Sequence, residues 1–269
     1  MATIDPAEGR RLFGRDPSCY HNARLRYPQR VFDILQNRCG LRTSTRTFEI
    51  GPGTGLASER LLQLGASPLV AVEPDKRLAN FLSANLGRKT SNLKVRVATF
   101  ERVKLPLEWF DLGVSASAFH WVNERVALRK IVRNLRQGGW WAMWWNLFSD
   151  GSRTDEFHKA TRFLLQELDR SPSSPTEQRP PFALDREQRI ANLKAVNAFE
   201  NIETETISDT VLFGTERMMQ LYSTLSPISR LEPVKRQRLL YRLGEIAERQ
   251  YGGKVEIRVL TPIYTAQRR

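Results

Sequence analysis

Apolar positions along the chain follow two alternating patterns. Short apolar runs typical of buried strands fall at residues 48–50, 69–73, 93–97, 109–115 and 139–146. Stretches with apolar residues at helical spacing lie between them, as at 57–64, 76–86 and 123–135. Strands that alternate with helices at this rhythm form a parallel sheet whose faces are covered by the helices. The chain is therefore predicted to be an α/β protein.

The pattern changes after the fifth apolar run. Helical spacing at 154–169 leads into a Pro/Ser-rich connector at 171–181 and a short helix at 184–196. An extended segment at 202–213, helices at 216–225 and 233–250, and a final strand at 255–264 follow. Before the first strand, helices are expected at 5–15 and 29–39, separated by a polar and aromatic segment. That segment is either a lid over a site or an arm packed on the surface.

The first strand runs directly into a glycine-rich turn, F-E-I-G-P-G-T-G-L at residues 48–56. Glycines permit positive φ and leave backbone N–H and C=O groups open to a close ligand. Ligands of open α/β sheets bind beyond the carboxyl ends of strands, so a strand, a tight turn and a helix indicate a nucleotide-type site. The alternative interpretation is that this turn only packs the helix against the strand, because such turns are also rich in glycine.

Residues at the ends of the later strands restrict the class of ligand that this site can bind. Glu73 ends the second strand about 20 residues after the turn, where a carboxylate can accept hydrogen bonds from ribose hydroxyls. Phe100 follows the third strand and either stacks on a purine or packs in the core. His120 follows the fourth strand as the best-placed general base, although it can equally orient the substrate or cap a helix. Asn146, which closes the fifth strand, is a candidate for the same cavity.

Composition restricts the class of protein. The chain has 269 residues, of which 41% are hydrophobic and 26% charged, as expected for one large globular domain. No apolar run approaches the roughly 20 residues of a membrane span and no signal-peptide core is visible, so we expect a cytoplasmic protein without a membrane partner. Cys19 and Cys39 form neither a disulfide framework nor metal-ligand spacing. The net charge of +13 leaves nucleic-acid binding open, but the arginines are scattered, which makes it the less favoured partner.

Several motifs together resemble one family. They are F-E-I-G-P-G-T-G-L, V-A-V-E-P-D, T-F-E, F-D-L-G-V-S-A-S-A-F-H-W-V and L-R-Q-G-G-W-W-A-M-W-W-N, in that order over residues 47–146. This set resembles the class I S-adenosylmethionine-dependent methyltransferases. The Ala-Phe-His-Trp segment is similar to the small-molecule branch that includes trans-aconitate methyltransferase. The tail at 255–269 and the lead-in at 20–28 resemble the same branch.

The resemblance implies a Rossmann-like seven-stranded sheet, parallel except for an antiparallel last strand, with helices on both faces. It implies S-adenosylmethionine as the cofactor and S-adenosylhomocysteine as its product. The implied cofactor-binding residues are Glu49, Gly51, Gly53 and Gly55 at the methionine part, Glu73 at the ribose, Thr99, Phe100 and Glu101 around adenine, and Pro74 and Ser115. The implied substrate or lid residues are Tyr20, Tyr27, Trp121 and Asn146. Many relatives carry Asp at the position of Thr99, so the adenine contact here lacks a charge.

We expect one methyltransferase domain with four parts. They are an N-terminal helical lid region at 1–45, the cofactor-binding core at 46–149, a helical insertion that caps the carboxyl edge at 150–201, and the C-terminal part of the core at 202–269.

The expected function is in-line methyl transfer to a small molecule. An activated sulfonium needs no metal, so the protein mainly aligns the acceptor and excludes water. The alternatives are an RNA methyltransferase, a cofactor-binding protein without turnover, and a dinucleotide oxidoreductase. Against the last, G-P-G-T-G lacks the third glycine of G-x-G-x-x-G. We expect a monomer or a homodimer, and the sequence does not identify the acceptor.

Overall fold

The computed structural model describes residues 2–148, 156–176 and 178–269. Within these ranges seven strands form one sheet: β1 Thr45–Ile50, β2 Ala66–Glu73, β3 Leu93–Val97, β4 Phe110–Ala116, β5 Leu135–Trp144, β6 Phe199–Gly214 and β7 Lys254–Arg268. The α-helices described are α1 Pro6–Leu12, α2 Pro17–Ala23, α3 Gln29–Asn37, α4 Leu56–Gln63, α5 Lys76–Leu82, α6 Glu124–Asn134, α7 Glu156–Leu165, α8 Arg186–Ala195, α9 Thr215–Ser223, α10 Ser226–Ser229 and α11 Pro233–Tyr251. No helix in the described ranges is both long enough and apolar enough to cross a membrane.

The sheet has the strand order β3-β2-β1-β4-β5-β7-β6. Strands β1 to β5 pair in parallel, and β7 is antiparallel to both of its neighbours, β5 and β6. The predicted seven-stranded sheet with an antiparallel last strand is therefore confirmed. Because the strand order reverses between β1 and β4, a crevice opens beyond their carboxyl ends.

Helices cover both faces of the sheet because side chains alternate along each strand. In β5, Trp141 and Met143 pack with α6 and α8 on one face, whereas Ala142 and Trp144 pack with α3 and α4 on the other. Phe48 lies at the centre of the first cluster and is fully buried. This tightly packed centre holds the carboxyl ends of β1 and β4 in fixed positions.

A helical cap stands over the carboxyl edge. Strands β6 and β7 pair as far as Gly214 and Lys254, while β5 pairs with β7 only at residues 263–267. Helices α7, α9 and α11 pack on the projecting part of this strand pair through an apolar cluster that includes Phe157, Phe213 and Leu221. We define the cap as α7, α9, α10, α11 and this strand pair.

The expected division of the chain into four parts stays a prediction. Within the expected insertion, α7 packs in the cap, whereas α8 packs on a sheet face through Leu193. The expected boundary at 149/150 and the expected helix start at Thr154 lie outside the described residues.

The N-terminal region contains one more helix than the apolar pattern predicts. The helix expected at 5–15 is α1 followed by a 3₁₀ turn at Phe13–Arg15, and α2 then lies inside the polar and aromatic segment. The signals for α2 are local, because Asp16 accepts a hydrogen bond from the Cys19 N–H (2.9 Å) and Pro17 occupies the first turn. Periodicity missed α2 because it is only seven residues long.

Candidate active site

A cavity of about 920 Å³ opens at the carboxyl edge of the sheet, between the turn after β1, the end of β2, the segment after β4, helices α1 and α2, and the cap. Eleven of the predicted site residues line it. They are Tyr20, Tyr27, Gly51, Gly53, Glu73, Pro74, Thr99, Phe100, His120, Trp121 and Asn146. The others, Glu49, Gly55, Glu101 and Ser115, are not among the residues that line it. The cavity therefore brings together residues that are far apart in the sequence.

Two glycines of the turn have different tasks. Gly53 has φ +58° and faces open space, since an added Cβ would meet nothing within 4 Å. A ligand can therefore approach the backbone there closely. Gly55 has φ +93° and is turned inward, where an added Cβ would lie 2.5 Å from Leu82 Cδ1. The absence of a side chain at Gly55 thus allows the start of α4 to pack closely against α5.

Glu73 lies at the end of β2 beside this turn. One carboxylate oxygen accepts a hydrogen bond from the Gly53 N–H (3.0 Å) and the other from the Asp75 N–H (2.9 Å). Burial raises the pKa of Glu73 to about 7 in spite of these two donors. A carboxylate has about four acceptor sites, so capacity remains for two further donors such as the vicinal hydroxyls of a ribose.

Glu49 and Ser115 support the turn from below. Both are fully buried. Ser58 Oγ donates to one oxygen of Glu49 (2.5 Å), and Ser115 Oγ donates to the Ile50 carbonyl (2.9 Å). Burial raises the pKa of Glu49 to about 7, and the Glu73 charge adds to this effect. The structure thus places Glu49 and Ser115 beneath the cavity wall and not on its surface.

Thr99 and Phe100 form the wall after β3. The Phe100 ring stacks on Phe48 (5.8 Å between centroids, 12° between planes) and is 2% exposed. Lys130 donates to the Phe100 carbonyl (2.7 Å), which fixes the segment from behind. Phe100 therefore packs mainly in the core and offers the cavity only a small part of its surface.

Glu101, which follows Phe100, forms an ion pair with Arg10 of the N-terminal segment. Its carboxylate pairs with Arg10 (2.9 Å), and Arg10 Nε also donates to the Trp121 carbonyl (2.9 Å). Burial opposes ionisation of Glu101, but Arg10 and nearby backbone amides hold its pKa below the usual value. Arg10 lines the cavity, so the pair joins α1 to the wall expected around adenine.

Helix α1 is seated directly on Trp121. An added Cβ on Gly9 would lie 2.1 Å from Trp121 Cζ3. The Phe13 ring meets the Trp121 ring edge-on (5.7 Å) and the Tyr20 ring in the same manner (5.6 Å). The close approach of α1 requires glycine at position 9, and it places Phe13 and Tyr20 at the cavity wall.

Tyr27 and Asn146 connect the lead-in segment to the sheet. Tyr27 Oη donates to Ser117 Oγ (3.1 Å), and burial raises the pKa of Tyr27. Asn146 Nδ2 donates to the carbonyls of Leu25 and Arg26 (3.3 Å each), while its Oδ1 accepts from Thr261 Oγ1 (2.9 Å). Asn146 thus holds the lead-in against β7, with both polar atoms of its amide engaged.

His120 lies on the 3₁₀ turn at Phe119–Trp121 after β4. Its Nδ1 accepts a hydrogen bond from Trp145 Nε1 (3.0 Å). Burial and the charge of Arg24 lower the pKa of His120 to about 3. The imidazole that faces the cavity is therefore neutral at ordinary pH.

The cap end of the cavity is apolar with cationic groups. Its apolar residues are Phe148, Leu165, Leu168, Leu221, Leu225 and Ile228. Its charged residues are four cations, Arg24, Lys159, Arg162 and Arg170, and one carboxylate, Asp169, which pairs with Arg230. The guanidinium of Arg24 lies 4.9 Å from the centre of the Tyr20 ring, and its Nη2 donates to the Thr224 carbonyl (2.9 Å). Its Nε is buried and has no partner among the described residues.

Sequence reasoning missed several residues of this site, among them Arg10, Arg24 and Trp145. Arg10 is 91 positions from the Glu101 carboxylate with which it pairs. Arginines are common in this chain, and no periodicity marks these two. Trp145 looked like one of several core tryptophans. No local sequence signal distinguishes these three, because their partners are supplied by folding.

Comparison with known proteins agrees with this geometry. The sequence model of the family described as "Methyltransferase domain" matches residues 48–143. An uncharacterized methyltransferase of Schizosaccharomyces pombe is 22% identical over 262 residues, which cover 96% of this chain and 97% of the relative. An uncharacterized methyltransferase of Mycobacterium tuberculosis is 31% identical over 134 residues. That match spans 50% of this chain and about half (51%) of the mycobacterial protein.

A solved structure has the same fold. It is phosphoethanolamine N-methyltransferase 2 of Haemonchus contortus in complex with phosphomonomethylethanolamine and S-adenosylhomocysteine. The TM-score is 0.60 at 12% identity, over 98% of this chain and 60% of the other. The glycine turn, the acidic end of β2 and the matched residues 48–143 point to the same cofactor. Residues 48–143 match a methyltransferase domain, and the chain is an S-adenosylmethionine-dependent methyltransferase.

Proposed function

We propose that this enzyme methylates a small anionic molecule with an apolar body. The observation that carries the proposal is that one cavity contains both the glycine turn with Glu73 and the apolar, cationic cap end. At about 920 Å³ it is near the upper limit of ordinary ligand pockets, as expected where a cofactor and an acceptor bind side by side. The Haemonchus structure holds a small phosphorylated molecule together with S-adenosylhomocysteine, which supports a small acceptor that carries an anionic group.

Bound S-adenosylmethionine supplies a methyl group already activated by a sulfonium. The chain's own residues then have three tasks. Gly53 and Glu73 hold the donor at the carboxyl ends of β1 and β2. Phe13 and Trp121 close the cavity against water. Arg24 attracts the anionic group of the acceptor, and alignment of this kind can contribute several kcal/mol to a displacement reaction (roughly 7 to 11 in favourable cases).

Charge and shape together define the acceptor class. Arg24 is held by the Thr224 carbonyl and the Tyr20 ring, yet its buried Nε is unpartnered among the described residues. A hydrogen bond to a charged group contributes about 1.5 to 3 kcal/mol, so an anion that accepts from the Arg24 guanidinium gains about that much. The leucine side chains of the cap end favour an apolar body over a polar one.

The experiment compares matched ligands in the presence of S-adenosylhomocysteine. Thermal shifts are measured with decanoate, decan-1-ol, decyltrimethylammonium and succinate, and methyl transfer is followed by release of S-adenosylhomocysteine. Decanoate is expected to stabilise the protein most, because it is the one ligand of the four that combines a negative charge with a long apolar chain. Equal stabilisation by decan-1-ol and decanoate would remove the anionic part of the proposal. A larger effect of succinate would remove the apolar part.

Arg24 and Arg26 provide a matched pair of variants. Arg24→Met is expected to weaken decanoate binding about tenfold, the loss for about 1.4 kcal/mol, and to leave S-adenosylhomocysteine binding unchanged. Arg26→Met is the control, since Arg26 is 63% exposed and pairs with Glu59 outside the cavity. Similar effects of the two substitutions would contradict the role of Arg24.

A further inference from the structure

The hydrogen bond between Trp145 and His120 determines which nitrogen of His120 carries a proton. The indole N–H can only donate. His120 Nδ1, 3.0 Å away, must therefore present its lone pair to Trp145. In a neutral imidazole one nitrogen is an acceptor and the other a donor. The hydrogen-bond network thus assigns the proton to Nε2.

The opposite tautomer is unfavourable at this position. A proton on Nδ1 would set two N–H groups against each other and leave the buried indole without an acceptor. An unsatisfied buried donor costs about 1 to 3 kcal/mol, which corresponds to about a 5- to 150-fold preference for the proton on Nε2. Trp145 does not turn away easily, because it is 2% exposed and packs edge-on against Phe182 (5.6 Å) and Tyr264 (6.3 Å).

Nε2 makes no hydrogen bond to any described residue, and His120 lines the cavity. Its ring lies against Trp121 (5.0 Å) and Phe182 (6.1 Å), which fix the plane of the imidazole. Arg24 is the charged group that acts on it within the described part of the chain, and burial together with this charge holds the pKa at about 3. A general base needs a lone pair at the nitrogen that faces the substrate. Here that lone pair faces Trp145.

We propose that Trp145 is a positioning residue that fixes His120 as a hydrogen-bond donor to the methyl acceptor, so that His120 orients the acceptor and removes no proton from it. This inference rests on the proposed function for the identity of the acceptor, but the tautomer is a property of the protein alone. The acceptor atom that meets Nε2 must then carry a free lone pair, and the attacking atom needs no deprotonation by His120.

The tautomer is measured by nitrogen NMR on protein labelled with ¹⁵N-histidine and bound to S-adenosylhomocysteine. Protonated and unprotonated ring nitrogens have well-separated shifts, and His120→Gln identifies the His120 signals among those of the three histidines. We expect a protonated Nε2 and an unprotonated Nδ1, unchanged between about pH 5 and 8. A protonated Nδ1, or a His120 that titrates in this range, would overturn the proposal.

Trp145→Phe tests the positioning role against a matched control. It removes the N–H and keeps an aromatic ring, so Nδ1 loses its donor and a mixture of tautomers is expected. Trp141→Phe is the control, because Trp141 belongs to the same apolar cluster as Trp145 and its Nε1 has no partner among the described residues. The control should cost similar packing energy and leave the His120 signals unchanged. Equal tautomer changes in both variants would refute the role of Trp145.

The role of His120 toward the acceptor is tested with decanoate as the probe. His120→Gln keeps an N–H near the position of Nε2, whereas His120→Leu keeps only bulk. We expect the Gln variant to bind decanoate about tenfold more tightly than the Leu variant and to retain more methyl transfer, consistent with one hydrogen bond to a charged group. Equal loss of decanoate binding in both variants would show that Nε2 donates no hydrogen bond to the acceptor, and equal loss of methyl transfer with binding retained would indicate a base; either result would overturn the proposal. Failure of decanoate to bind the wild type, with the expected tautomer present, would reject the proposed acceptor and not the assignment of the proton.

Discussion

Gly9→Ala tests whether the N-terminal segment belongs to the active site. The added Cβ would lie 2.1 Å from Trp121 Cζ3 and 2.4 Å from Cη2. Since carbon atoms pack at about 3.5 Å or more, α1 or the Trp121 ring must move by more than about 1 Å. Trp121 is 6% exposed and has little room to yield. Over-packing of this kind costs about 1 to 3 kcal/mol.

The over-packing cost weakens the docking of α1 on Trp121. A helix of seven residues unfolds once it leaves its docking site, so the better helix propensity of Ala, about 1 kcal/mol, offsets part of the clash. A net cost of up to about 2 kcal/mol lowers the docking equilibrium by up to about 30-fold. Hydrogen exchange of a peptide that covers α1 measures this directly, because protection scales with the opening equilibrium.

Gly87→Ala is the matched control, since an added Cβ there meets only Ser83 Cβ at 3.9 Å. We expect protection of α1 to fall in the Gly9 variant and to stay unchanged in the control. Binding of S-adenosylhomocysteine should weaken in the Gly9 variant, because Arg10 and Phe13 line the cavity. Unchanged α1 protection in Gly9→Ala would refute the docking argument.

Three further predictions concern charged groups. Glu73→Gln should weaken S-adenosylhomocysteine binding about 10- to 100-fold by calorimetry, the loss of a hydrogen bond to a charged acceptor, whereas Glu59→Gln, outside the cavity, should not. In the wild type, affinity should fall as pH drops below about 7, because the pKa of Glu73 is raised to about 7 and ribose hydroxyls donate to its ionised form; an affinity independent of pH would contradict this role. Burial opposes ionisation of Asp111, but hydrogen bonds from Arg46 and Arg136 hold its pKa below 3.8. This depressed pKa contributes stability above about pH 3.8 that is lost as pH falls through the folded-state value. Asp111→Asn should therefore lower the Tm at pH 7, with a difference from wild type that shrinks in acid; a difference independent of pH would count against the ion pairs.

The order of strands and helices and the cofactor turn follow from local patterns. Apolar periodicity depends on neighbours within a few residues, so the strands at β1 to β5 and most helices could be predicted from sequence. The spacing from the glycine turn to Glu73 is similarly a property of one strand–helix–strand unit. The antiparallel direction of the last strand was predicted from the family resemblance and not from periodicity.

What the sequence by itself determined, then, is the fold class, the cofactor and the edge of the sheet where chemistry takes place. Tertiary structure alone decided which predicted residues reach the cavity: Glu49 and Gly55 belong to the turn motif, yet they lie beneath the surface because of burial and helix packing. The tertiary structure also brings Arg10 within hydrogen-bond distance of Glu101 and Trp145 within hydrogen-bond distance of His120. The physical reason is that such contacts depend on the relative positions of separate elements, which no local pattern of residues specifies.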